Sequence, residues 1–139
     1  MLLVLLIGPF AFGIQIGKAV LAPFEGHTSC VTTVAFSLNG KYVLSGSWDC
    51  TVQVWEAETG VVISEMHQHK GWVTCIALHP DGERFVSGSE DGTVLLCAIE
   101  NSTVVEQSPD GEESGLISVA VSPDGTFIAS GGWCGRIYL

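Results

Sequence analysis

Apolar residues in this chain recur at the short spacings of strands rather than at the 3.6-residue period of a helix. In the run from Cys30 to Ser37 they are Val31, Val34 and Phe36, three residues apart and then two. Val73, Ile76 and Leu78 repeat that spacing, as do Leu116, Val119 and Val121. A regular strand alternates every second residue, so the step of three predicts a β-bulge near the start of each strand. Asn39-Gly40, Asp81-Gly82 and Asp124-Gly125 close the three runs and supply the positive φ that a tight hairpin turn needs. Residues 41–47, 51–55 and 61–66 then predict a second, third and fourth strand, with turns at Asp49-Cys50 and Glu58-Thr59-Gly60. Four such strands make a twisted antiparallel sheet.

The pattern repeats. Ser45-Gly46-Ser47-Trp48-Asp49-Cys50-Thr51-Val52 returns 42 residues later as Ser87-Gly88-Ser89-Glu90-Asp91-Gly92-Thr93-Val94. A weaker copy, Ser130-Gly131-Gly132-Trp133-Cys134-Gly135-Arg136-Ile137, follows 43 residues after that. The upstream strands and the Asn-Gly or Asp-Gly turns keep the same register, and a shared offset of this length marks a repeat architecture. The chain divides accordingly into an apolar start (1–17), the last strand of a preceding unit (18–26), full units at 27–68 and 69–107, and a truncated unit at 108–139.

The unit Gly26-His27 … Ser45-Gly46-Ser47-Trp48-Asp49 … Val54-Trp55 resembles a WD40 repeat, and the resemblance covers roughly Lys18 to Leu139. It implies an all-β fold of four-stranded antiparallel β-propeller blades, about three of them, in an incomplete ring. Units this regular also resemble the long WD40 arrays attached to NACHT-type signalling NTPases, although no Walker-type GxxxxGK[ST] loop occurs in this chain. The resemblance assigns His27, Ser45, Asp49 and Trp55 to a structural hydrogen-bond network, and His69, Ser87 and Asp91 to its second copy, where Cys97 replaces Trp. In the third copy Glu112 and Cys134 stand for His and Asp, and Ser130 remains. It further implies that partners meet the loops at three positions per unit. These are Cys30, Thr32 and Trp48; Trp72, Thr74 and Glu90; and Gly115, Ile117 and Trp133. Trp48, Trp72 and Trp133 sit in turns or at a strand start, and indoles on a rigid rim suit a binding hot spot. The competing role for them is packing on neighbouring loops.

A Ser, a His and an Asp also invite a catalytic-triad reading, which requires an exposed nucleophile beside an oxyanion site. A catalytic set has no reason to recur at the unit spacing and then decay, and it leaves Trp55 without a role. The chain is therefore expected to be no enzyme and to need no cofactor. His67-x-His69 offers two imidazoles, but His69 is already taken by the network, and no metal site is expected. Asp110, Glu112 and Glu113 form an acidic loop within Pro109–Ser114 that suits a small charge-based docking role.

Fifteen acidic against five basic residues give a net charge of −10, and Lys18, Lys41, Lys70, Arg84 and Arg136 are scattered. Phosphate binding needs a basic patch, so protein or peptide partners are expected and nucleic acid is not. Five cysteines without CxxC spacing argue against a disulfide scaffold and for a reducing, cytoplasmic setting. Residues 1–17 carry no charged side chain, which raises the alternative of a secreted or membrane-attached protein, with membrane contact only through that segment. Met1 to Ile7 is similar to a signal core and Ala11-Phe12-Gly13 to a weak cleavage site, but Gly8, Pro9 and Gly13 interrupt the run. Propellers close with four to eight blades, so three incomplete ones imply either further blades of a longer chain or self-association. The function expected is a non-catalytic protein–protein interaction module or scaffold within a larger protein. A further alternative is a reader of modified or basic peptides through the rim tryptophans.

Overall fold

The computed structural model describes residues 22–108 and 114–139, together with the backbone of three two-residue strands before them. Those are β1 (Phe10–Ala11), β2 (Ile14–Gln15) and β3 (Lys18–Ala19). β1 pairs antiparallel with β4 (Phe24–Glu25), and β2 with β3. The stretch expected as one strand over 18–26 thus contains two short ones, each paired to residues before it. The remaining expectations for residues 1–9 and for Asp110, Glu112 and Glu113 lie outside the described residues.

Two four-stranded meanders follow. The first runs β5 (Val31–Phe36), β6 (Tyr42–Ser47), β7 (Val52–Glu56) and β8 (Val62–Met66). The second runs β9 (Val73–Leu78), β10 (Arg84–Ser89), β11 (Val94–Ala98) and β12 (Val104–Gln107). A third, three-stranded sheet holds β13 (Leu116–Val121), β14 (Ile128–Gly132) and β15 (Ile137–Tyr138). In all three the sheet order is the chain order and every pairing is antiparallel, as hairpin connections require. Among the described residues there is no helix, and the three sheets do not close a ring.

The apolar step of three is a bulge in each sheet. Val31 pairs with Ser47 and Thr33 with Gly46, so Thr32 is the extra residue. Thr74 and Ile117 occupy the same place in the second and third sheets. The hairpins after β5, β9 and β13 turn on Gly40, Gly82 and Gly125, all at φ between 71° and 78°. At the next turn Gly92 and Gly135 take the same left-handed conformation, whereas the first blade places Cys50 there at φ 70°.

The core lies between sheets. Alternation on β6 and β7 aims Leu44, Val52 and Val54 at the second blade, where Val73, Phe85, Leu95 and Cys97 meet them in one buried cluster. The opposite face of the second blade presents Cys75, Val86 and Leu96 to Val119 of the third. On the outer face of the first blade, Val43 and Trp55 pack under Phe24, which stacks on the indole at 5.7 Å. Each fully buried aliphatic side chain contributes about 1.5–3 kcal/mol. The blades therefore hold one another, as stacked repeats do.

Close approach of the blades excludes side chains at particular positions. A Cβ on Gly46 would lie 2.5 Å from Val73, and one on Gly88 2.7 Å from the Cys75 sulfur. Both glycines sit mid-strand, where the missing side chain allows a neighbour to pack against the backbone.

Candidate functional site

The first blade is pinned by a chain of polar side chains. His27 lies in the loop entering β5, Ser45 on β6, Asp49 in the β6–β7 turn and Trp55 on β7. The Trp55 Nε1–H donates to Ser45 Oγ at 2.7 Å, and Ser45 Oγ lies 2.6 Å from His27 Nε2. His27 Nδ1 lies 2.8 Å from Asp49 Oδ2. One arrangement of protons satisfies the whole chain: indole to hydroxyl, hydroxyl to Nε2, and Nδ1–H to carboxylate. Thr51 extends it, donating to Asp49 Oδ1 at 2.6 Å while standing 3.2 Å from His27 Nδ1. The Thr28 and Thr51 backbone amides also donate to Asp49. Burial alone would raise the Asp49 carboxyl, but these donors outweigh it and hold it below its ordinary value.

The second blade repeats the set with a different balance. His69 Nε2 lies 2.8 Å from Ser87 Oγ, but its Nδ1 faces Thr93 Oγ1 at 2.9 Å, with Asp91 Oδ2 withdrawn to 3.6 Å. Asp91 instead accepts from the Lys70 amide at 2.6 Å and from the Thr93 amide at 2.8 Å. Burial holds the His69 imidazole below its ordinary value, with the Asp91 charge opposing. Cys97 stands where the first blade has Trp55; it is fully buried, and desolvation pushes its thiol up to about 12. In the third sheet Ser130 is half-buried, and Cys134 is exposed with its sulfur 3.9 Å from the Tyr138 hydroxyl. Glu112, at the His position of that unit, lies outside the described residues.

This arrangement positions groups without exposing them. Ser45 is fully buried and its hydroxyl is engaged by both Trp55 and His27, so no substrate carbonyl reaches it. Of the two histidines considered for a metal, His67 is exposed and 3.6 Å from Glu65, while His69 is turned into the blade.

The loop face carries the other candidate residues. Equivalent backbone bonds order them: the Trp48 amide donates to Cys30 O, the Glu90 amide to Trp72 O, and the Trp133 amide to Gly115 O. Trp48 of the first blade and Trp72 of the second stack, with ring centroids 4.5 Å apart and planes 19° apart. Each remains 42% exposed, and Trp133 is 72% exposed, so all three present ring surface to solvent. Trp48 and Trp72 thus pack across a blade junction and stay accessible. Cys30 is half-buried and Glu90 exposed on the same face.

Thr32 and Thr74 take part in the fold itself. Thr32 Oγ1 is 3.0 Å from Gly46 O in its own blade and 2.5 Å from Val73 O in the next. Thr74 Oγ1 makes the same bridge, 3.2 Å to Gly88 O and 2.8 Å to Leu116 O. Each bulged threonine therefore clasps two blades. This clasp and the part played by Thr51 and Thr93 escaped the sequence reading. Their signal was present, since both threonine pairs recur at the 42-residue offset.

Comparison with known proteins agrees with this geometry. The family model for the WD domain, G-beta repeat, matches residues 18–56, 60–97 and 104–139. The target of rapamycin complex subunit wat1 of Schizosaccharomyces pombe is 33% identical over 119 residues, 86% of this chain and 38% of that protein. The small ribosomal subunit protein RACK1 of Candida albicans is 49% identical over 37 residues, 27% of this chain and 12% of that protein. A ribosome biogenesis protein BOP1 homolog of Arabidopsis thaliana is 43% identical over 37 residues, 27% of this chain and 5% of that protein. The chain thus spans well under half the length of the relatives it matches. Three matched repeats, meander sheets in chain order and a blade-pinning His–Ser–Asp–Trp chain together place it in the WD40 repeat family.

Proposed function

We propose that the chain is a non-catalytic interaction module that presents the loop face of its blades to protein or peptide partners within a multiprotein assembly. The observation that carries this reading is the exposed Trp48–Trp72 stack, held on backbone that two buried networks fix. Large aromatic rings on a preorganised surface are the groups that dominate protein interfaces, because little conformational entropy is lost when they are covered. Three relatives are named for larger machinery: a target of rapamycin complex, a ribosomal subunit and ribosome biogenesis. Burial of Ser45 beneath Trp55 supports a structural rather than catalytic use of the Ser–His–Asp set.

The five cysteines are all free thiols, which suits the reducing cytosol. Fractionation of the expressed chain tests that placement.

The binding role is tested by quantitative affinity capture from the source cells with wild type and with Trp48→Ala/Trp72→Ala. Partner recovery falls by at least about tenfold in the double variant, which still unfolds cooperatively with a melting temperature lowered by the loss of the stacked pair. Equal recovery by a folded double variant overturns the proposal.

A further inference from the structure

The two blade junctions are built alike, and the chain carries one more half of each kind. At the first, Leu44, Val52 and Val54 of the first sheet meet Val73, Ile76 and Leu78 of the second, with Tyr42 at the edge. At the second, Val86, Val94 and Leu96 meet Val119 and Val121 of the third. A glycine lets the next blade sink into each socket: a Cβ on Gly46 would lie 2.5 Å from Val73, and one on Gly88 3.1 Å from Val119. Cross-strand pairing gives the open face of the third sheet the same socket. Gly131 pairs with Ile137 as Gly46 does with Val52 and Gly88 with Val94, and Ala129 and Phe127 precede it at the places of Leu44 and Tyr42. Phe127 is 55% and Ile137 81% exposed. Among the described residues a Cβ on Gly131 would meet nothing but Arg136 O of its own blade, at 3.7 Å. The other half lies on the first sheet, where Val34 and Phe36 take the places of Ile76 and Leu78 and are 48% and 57% exposed.

We infer that the third sheet of one molecule receives the first sheet of a second copy, head to tail, and that two copies close a six-bladed ring. Side-chain size fits the socket to this chain's own plug. Ala129 stands where the other sockets have Leu44 and Val86, and Phe36 stands where the other plugs have Leu78 and Val121. In both junctions within the chain these two positions belong to one cluster. The small alanine leaves room for the larger phenylalanine, and packed cores tolerate such volume-conserving exchange best. At the outer rim of the first sheet Phe24 of β4 covers Trp55; the third sheet has three described strands, so β4 of the copy meets no fourth strand there. A contact between two different patches of the same molecule is heterologous and forms a ring when its rotation closes, and six blades lie within the four to eight that propellers use. Ile117 takes the place of Thr32 and Thr74, so this junction lacks the hydroxyl clasp of the other two. It is therefore weaker than they are and forms with rising concentration. Neither this contact nor the loop-face role proposed above requires the other.

Sedimentation velocity of the full chain over a series of concentrations tests this. The mass rises from one copy to two and stops there. Ile137→Asp in the socket and Phe36→Asp in the plug each raise the dissociation constant at least about tenfold, because either carboxylate is buried without a partner in the pair. Both side chains are exposed in the single molecule, so at low concentration the variants keep the wild-type circular dichroism and melting temperature. Mixed together, the two variants pair again, more weakly than wild type, since the intact socket of Phe36→Asp meets the intact plug of Ile137→Asp. Association that either variant leaves unchanged, or a mixture that stays single, overturns the head-to-tail junction. Growth beyond two copies overturns the closed ring, and a wild-type chain that stays single throughout overturns the pairing altogether.

Discussion

Replacing Asp49 by alanine should destabilise the chain more than replacing Asp91, although the two occupy equivalent turns. Asp49 accepts four hydrogen bonds: from His27 Nδ1, the Thr28 amide, the Thr51 amide and the Thr51 hydroxyl. The Thr28 amide is exposed, and water replaces its partner. The imidazole of His27 is fully buried, and Thr51 Oγ1 at 3.2 Å is its nearest substitute. The loss is that of one buried charge-assisted bond, partly rescued, plus one half-buried amide, or about 1–3 kcal/mol. In the second blade His69 Nδ1 already bonds Thr93 at 2.9 Å while Asp91 stands 3.6 Å away. Asp91→Ala leaves that imidazole satisfied and costs about 0.5–1.5 kcal/mol. Urea unfolding followed by tryptophan fluorescence compares the two, provided the slope m is unchanged so that midpoints report stability. Equal midpoints, or a larger loss in Asp91→Ala, would show that His27 does not depend on its carboxylate.

Three further outcomes follow from the same geometry. Cys50→Gly should stabilise the chain by about 0.5–1 kcal/mol, because Cys50 sits at φ 70° where the other two blades use glycine, and a lower urea midpoint refutes this. Thr32→Val removes a hydroxyl shared between Gly46 O and Val73 O and should cost about 1 kcal/mol, while Thr28→Val, whose side chain is exposed, changes the midpoint little. Native thiol labelling should modify Cys134 before Cys97. Cys134 is exposed and lowered by the Ser114 hydroxyl and the Arg136 amide, whereas Cys97 is buried and raised to about 12; early labelling of Cys97 contradicts the packing of the blade junction.

Stability should also fall as the solution is acidified below about pH 6.5. Burial holds His69 below its ordinary 6.5, so the unfolded chain takes up that proton first and the folded state loses ground as pH drops. Asp49 and Asp91 are held below 3.8 by their donors, so their contribution is complete above that value and disappears as pH falls through their folded range. Urea midpoints from pH 7.5 to 3 read both phases, His69→Gln removes the first, and a midpoint that rises on acidification from pH 7 to 5.5 contradicts the sign.

The strands were legible because their information is local. Val31, Val34 and Phe36 alternate around one bulge, and Asn39-Gly40 fixes the turn that follows; the same signals recur twice. The positions of His27, Ser45, Asp49 and Trp55 were legible through family resemblance, because the repeat unit carries them at fixed spacing. What lay beyond the sequence was geometry between blades. The stacking of Trp48 on Trp72 depends on how two sheets are rotated against each other, and no period along the chain encodes that angle. The inter-blade reach of Thr32 to Val73 O was hidden for the same reason, as was His79 Nε2 meeting Gly125 O at 3.2 Å. The withdrawal of Asp91 from His69 is subtler still, since both blades carry a threonine at this place, yet Thr93 Oγ1 lies 2.9 Å from His69 Nδ1 where Thr51 Oγ1 lies 3.2 Å from His27 Nδ1.

Exchange of the four indole N–H groups with solvent deuterium, followed one by one in a proton–nitrogen spectrum of the labelled chain, reaches the buried network directly. The Trp55 Nε1–H, fully buried and 2.7 Å from Ser45 Oγ, should persist far longer than those of Trp48, Trp72 and Trp133. If the Trp55 signal vanished as fast as the other three, the polar chain would not be pinning the blade.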